Sequence, residues 1–218
     1  MTGSDAPPEA TEDRTLGRRL AIAAVVTLLV VVLVVVTGSD QSPEPVAGPR
    51  VLVIGDSLLN NARTQVESEL RADGWDPTVA AFPGSNILIW QERLQPLAER
   101  TRPNVAVVEL GTNDCFYERC PDLGPLIDRI VDDLAETTDA ILWLDVQAET
   151  PHLVPADSVN AQLRLAAARH PDVRMVEFGE LFDQHPEWHI ADRLHLNEAG
   201  QQALADLITT ELRPYRPR

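Results

Sequence analysis

The chain has 218 residues and a formal net charge of −16, which argues against a nucleic-acid partner, because a phosphate backbone needs a basic face. All eighteen of its cationic side chains are arginine, a bias of composition with no chemistry attached. Once the N-terminal segment is set aside, about 170 residues remain, enough for one domain with a sizeable core.

Residues 1–19 form a short leading segment that carries Arg14, Arg18 and Arg19. The run Leu20–Val36 then has no charge and a single polar residue, Thr27. At 1.5 Å per residue it spans roughly 26 Å, close to the thickness of a bilayer core, so residues 20–37 read as a transmembrane helix. The competing reading is a cleaved signal peptide. Its apolar stretch is usually shorter, about 7–15 residues, and Val36-Thr37-Gly38 is a poor cleavage site. Arginines stand just before the span, and Asp40 and Glu44 just after it. That asymmetry puts the N-terminus in the cytoplasm and the remainder outside. An acidic domain would be repelled by anionic headgroups, so the membrane contact falls to this helix. Residues 38–49 (GSDQSPEPVAGP) hold three prolines among small and acidic residues, and read as an extended linker.

From residue 50 to 218 short apolar runs alternate with amphipathic stretches. Val51–Ile54 is all apolar, as expected of a strand buried on both faces. Leu58, Ala62, Val66 and Leu70 recur every fourth residue, the pattern of a helix face, and Gly74 ends that helix. The spacing then predicts strands over Thr78–Phe82, Val105–Leu110, Ile141–Val146 and Val173–Phe178. It predicts helices over Ile87–Arg100, near Leu126–Leu134, over Val159–Ala168, and from Asn197, a good N-cap, to Leu212. Five strand–helix repeats predict a three-layer α/β/α sandwich around a parallel sheet. The common order for five strands is 2-1-3-4-5, with ligands beyond the C-terminal ends of strands 1 and 3, where the order reverses.

Ser57, in Gly55-Asp56-Ser57-Leu58, follows strand 1 and opens the first helix. The unpaired N–H groups and the helix dipole there favour developing negative charge. Taken alone the tripeptide Gly-Asp-Ser is more often a Ser N-cap with Asp56 as a turn residue. Gly84, in Phe82-Pro83-Gly84-Ser85-Asn86, follows strand 2 and can present a backbone N–H to a substrate, although an ordinary Pro-Gly turn has the same composition. Asn113, in Gly111-Thr112-Asn113-Asp114, follows strand 3 and can aim a side-chain amide at the same oxyanion. Asp114 is expected to brace the loop or cap a helix. In the last loop His195 can act as the base for Ser57, and Asp192, three residues earlier, can hold the other ring nitrogen. Such a base must be neutral, so activity should fall below about pH 6.

Of the other histidines, His152, His170 and His185 each adjoin a proline and read as surface loop residues. His189, after Trp188, can line the pocket but has no acid at matching spacing. The pair His185/His189 imitates a metal motif only superficially, and no metal is expected. Cys115 and Cys120 can form a local disulfide outside the cytosol, or remain two free thiols; no second ligand pair supports a zinc site.

These four segments resemble the blocks of the SGNH (GDSL-type) hydrolases, whose Ser, Gly, Asn and His fall here on Ser57, Gly84, Asn113 and His195. Asp192 matches that family's triad aspartate, and Leu196-Asn197-Glu198-Ala199-Gly200 its usual sequel to the histidine. The likeness covers about Arg50 to Leu212. It implies acyl transfer or hydrolysis through an acyl-serine intermediate, with an oxyanion hole made of the Ser57 and Gly84 backbone amides and the Asn113 side chain. No cofactor is implied. The expectation is a serine esterase acting outside the membrane on small acyl esters of envelope glycans or lipids. The alternatives are an O-acyltransferase using the same residues, and an inactive glycan-binding module. No long insertion suggests a lid, which favours small or exposed substrates.

Overall fold

The computed structural model describes residues 48–114, 122–148 and 156–216. The apolar span, most of the linker, His152 and the Cys115/Cys120 pair lie outside the described residues. Among those that are described, no helix is long and apolar enough to cross a membrane.

In chain order the elements are β1 (Arg50–Gly55), α1 (Ser57–Ala72), β2 (Asp76–Ala81), α2 (Ile87–Thr101), β3 (Val105–Glu109), α3 (Gly124–Ala135), β4 (Ala140–Leu144), α4 (Ala156–Arg169), β5 (Val173–Val176), α5 (Phe178–Asp183) and α6 (Glu198–Leu212). Short 3₁₀ turns occupy Pro186–Trp188 and Arg213–Tyr215. The five strands are all parallel in the order β2-β1-β3-β4-β5, the expected 2-1-3-4-5 arrangement.

Successive side chains of a strand point to opposite faces, and each face here has its own core. Val51, Val53, Val105, Val107, Leu142 and Leu144 pack under α1, α5 and α6. Leu52, Ile54, Ala106, Val108, Ile141 and Trp143 pack under α2, α3 and α4. Burial on both faces is why β1 and β4 are almost unbroken apolar runs.

Two expectations need correction. The second strand starts at Asp76, not Thr78, and takes in Pro77. Proline lacks the N–H a central strand would need, but β2 is an edge strand, where this is tolerated. The fifth strand ends at Val176, because Phe178 and Phe182 turn their rings into the core from one side of a short helix, 4.4 Å apart. A four-residue spacing belongs to a helix, and the preceding alternation hid it.

Candidate active site

The sheet order brings the β1–α1, β2–α2 and β3–α3 connections to one edge, at the strand order's reversal point. Ser57 is the first residue of α1, and Asp56, not Ser57, is its N-cap. The Asp56 Oδ1 accepts from the Leu58 N–H at 2.9 Å. With the capping role taken by its neighbour, the Ser57 hydroxyl is left for other contacts. It lies 3.1 Å from Nε2 of His195, 138 residues further along the chain.

The His195 ring is fixed from its far side. Asp192 Oδ2 is 2.7 Å from His195 Nδ1, while Oδ1 accepts from the backbone N–H groups of Leu194 and His195 at 3.0 and 2.9 Å. A carboxylate only accepts, so Nδ1 carries the hydrogen and Nε2 offers its lone pair to the serine. Burial alone would raise the Asp192 carboxyl. The His195 ring and the two N–H groups outweigh it and bring it down to about 2. The turn is tight enough to hold Arg193 at φ 58°, a left-handed conformation that costs a non-glycine residue roughly 1–2 kcal/mol. The Asp192 bonds and the Arg193 N–H to Ile190 carbonyl bond of 3.0 Å keep it there.

Gly84 sits at the third position of a turn closed by the Ser85 N–H on the Phe82 carbonyl at 3.0 Å. Its φ of +73°, after proline, is that of a type II turn, which calls for glycine. A Cβ on Gly84 would meet no atom within 4 Å, so the turn's outer side is open. The turn is anchored from below. Trp90 Nε1 donates to Ser85 Oγ at 3.0 Å, and Phe82 lies between the Trp90 ring at 5.2 Å and the Arg93 guanidinium at 4.9 Å. Among the described residues no acceptor pairs with the backbone N–H of Ser57 or of Gly84.

Asn113 joins the three turns. Its Nδ2 donates to Asp56 Oδ2 at 2.7 Å and to the Ser85 carbonyl at 3.1 Å. An oxyanion reaching this amide would displace or share the Ser85 bond. Asp114 accepts from the Ile87 N–H at 3.1 Å through Oδ1, the bracing role expected of it, and burial raises its carboxyl to about 6.

Behind this surface lies a feature the motifs did not signal. Glu109 ends β3 with 3% of its surface exposed, and its Oε2 accepts from the N–H groups of Asp56 at 3.1 Å and Leu59 at 3.3 Å. Burial and the Asp56 charge push Glu109 well above the ordinary carboxylate range. Burial raises Asp56 to about 6, against its bonds to the Leu58 N–H, Glu109 and Asn113 and the attraction of His195. A charged residue type closing the otherwise apolar run Val105–Val108 was the available signal.

The remaining histidines are engaged elsewhere. His170 lies in the loop after α4, as expected, partly exposed and 2.9 Å from Asp128. His185 stacks on Trp188 at 3.8 Å and contacts Glu187. His189 meets the Gln147 amide at 2.7 Å.

Residues 53–203 match the model of the GDSL-like lipase/acylhydrolase family. Over 183 residues the chain is 30% identical to the O-acetyltransferase OatA of Staphylococcus aureus, covering 80% of this chain and 27% of that protein. It thus spans about a quarter of the length of the curated O-acetyltransferases it matches. Over 185 residues it is 24% identical to an arylesterase of Vibrio mimicus, covering 76% of this chain and 89% of the other. The C-terminal catalytic domain of the Streptococcus pneumoniae peptidoglycan O-acetyltransferase A has the same fold. That structure gives a TM-score of 0.63 at 19% identity, with coverage of 78% and 97%.

Proposed function

The chain belongs to the GDSL-like lipase/acylhydrolase (SGNH) family, whose members act on ester bonds, and from that premise we propose that it is a serine esterase for small acyl esters of envelope glycans or lipids. The observation that carries this reading is the hydrogen-bonded line Ser57–His195–Asp192, at 3.1 and 2.7 Å, beside the Ser57 and Gly84 N–H groups, which have no acceptor among the described residues.

The proposed steps use this geometry. His195 Nε2 takes the hydroxyl proton as Ser57 Oγ bonds to the ester carbonyl carbon. The carbonyl electron pair moves onto oxygen, toward the Ser57 and Gly84 N–H groups and the Asn113 amide. The tetrahedral centre collapses, the C–O bond to the alcohol breaks, and the alcohol leaves with the proton from Nε2. Asp192 stabilises the imidazolium in between. Water, giving its proton to the same nitrogen, then attacks the acyl-serine; the acid is released and Ser57 regains its hydrogen.

Ser57 and His195 are half-buried and Asp192 is exposed, which suits an acyl group presented on a larger molecule. The arginine-flanked apolar run supports a placement outside the membrane on an N-terminal anchor. A second reading, transfer of the acyl group to a sugar hydroxyl, is favoured by the 30% identity to an O-acetyltransferase. It uses the same steps with a different attacking oxygen.

Turnover of p-nitrophenyl acetate by the full chain in detergent tests the mechanism. Ser57→Ala should lose several orders of magnitude in kcat. Undiminished turnover in that variant would remove the mechanism. Product analysis with and without an O-deacetylated glycan acceptor separates hydrolysis from transfer.

A further inference from the structure

Resting on the reading of Ser57 as nucleophile, we propose that Glu109 is a positioning residue, which acts through Asp56 to hold the Asn113 carboxamide where the oxyanion forms. Glu109 shares the strand parity of Val105 and Val107, so it points to the face covered by α1. In the β1–β3 register it stands opposite Gly55. A Cβ on Gly55 would come 2.7 Å from Glu109 Oε2. The last residue of β1 is thus one whose lack of a side chain leaves room for this carboxyl.

What the carboxyl does there is specific. One oxygen accepts the N–H groups of Asp56 and Leu59, which flank Ser57 on either side. Both bonds tie Glu109 to the turn that carries Asp56. Asp56 in turn accepts from the Leu58 N–H at 2.9 Å and from Asn113 Nδ2 at 2.7 Å. The chain Glu109–Asp56–Asn113 therefore runs from the sheet interior to the surface. A buried carboxyl with no donor would be costly; here two backbone N–H groups meet it and fix the turn from which Asp56 reaches Asn113. The other titratable groups acting on the pair are Asp114 from the β3–α3 turn and His195 from the last loop. Glu109 meets no reacting atom, so its effect is on where the amide sits.

Three variants test this on p-nitrophenyl acetate, with kcat expressed per folded molecule by circular dichroism. Glu109→Gln retains two acceptor sites and a donor, and should stay within about threefold of the parent. Glu109→Met fills the same length with no polar atom. It should lower kcat by about 10- to 100-fold, with KM changed less than about threefold, because small misplacements of a catalytic group have costs of that order. Asn113→Ala should lose about 10²-fold, and adding Glu109→Met to it should cost little more, since both act on one amide. Where the methionine variant does not fold, Glu109→Asp, one methylene short of both partners, takes its place in the same cycle. A Glu109→Gln loss beyond about 30-fold, a Glu109→Met kcat equal to the parent, or fully multiplicative losses with Asn113→Ala would each overturn the proposal. Failure of the esterase reading looks different. In that case the parent itself neither turns over the ester nor reacts with a fluorophosphonate at Ser57.

Discussion

Replacing Asp192 by asparagine separates the two things a carboxylate does beside an imidazole. The asparagine Oδ1 can still accept the Leu194 and His195 N–H groups that Asp192 holds at 3.0 and 2.9 Å, so the loop should persist. Its amide nitrogen, however, would face His195 Nδ1 across the 2.7 Å gap. Two donors cannot share that gap, and the ring must move its hydrogen to Nε2, the atom that has to accept from Ser57. The charge itself is worth less. A carboxyl lowered from 3.8 to about 2 corresponds to roughly 2.4 kcal/mol. Asp192 is 41% exposed, so solvent screening reduces this to about 1 kcal/mol, a fivefold effect. The tautomer penalty dominates, and in other enzymes with this arrangement reaches about 10⁴. The expected result is a kcat on p-nitrophenyl acetate lowered by about 10³–10⁴, with a melting temperature within about 3 °C of the parent. An Asp192→Asn variant within tenfold of the parent would show that His195 is not oriented as described.

The raised carboxyls set the pH dependence of stability. Asp56 and Asp114 both hold their protons more tightly in the folded state, up to about 6, so stability should be greatest near pH 4 and fall as pH rises through 6. Asp114→Asn, which can still accept from the Ile87 N–H, should flatten that fall by about 1–2 kcal/mol in urea titrations at pH 5 and 8; an unchanged slope would contradict it. Asp192 works the other way, so its contribution is present above pH 4 and disappears as pH falls toward 2. Gly55→Ala would put a methyl 2.7 Å from the Leu59 Cβ and from Glu109 Oε2, and should cost about 1–3 kcal/mol by denaturant midpoint. Trp90→Phe removes the Ser85 bond and should cost about 1 kcal/mol; a stability equal to the parent would show that the bond does not contribute.

The sheet was legible because its strands are buried on both faces and therefore apolar without alternation, as at Leu52–Ile54 and Ile141–Leu144. The helices were legible from four-residue spacing, as along Leu58, Ala62, Val66 and Leu70. What escaped were short elements decided by tertiary packing: Pro77 in an edge strand, and Phe178 and Phe182 on one turn of helix. At the site, the side chains that face solvent at strand ends stood out by residue type. Glu109 did not, because one acidic residue at a strand end carries no spacing pattern. Its partners lie 50 to 53 positions away in sequence and become neighbours only through the β1–β3 register.

The distance between Ser57 and His195 along the chain has a consequence for assembly. Their meeting depends on α6 lying against α1, where Gln201 and Gln202 from the last helix pair with Gln65 and Glu69 of the first. On the proposed mechanism the ribosome must deliver the chain through α6 before any ester can be attacked. Recovery of turnover after dilution from denaturant should then trail the return of far-ultraviolet ellipticity, and the catalytic signal becomes a clock for the docking of α6 on α1.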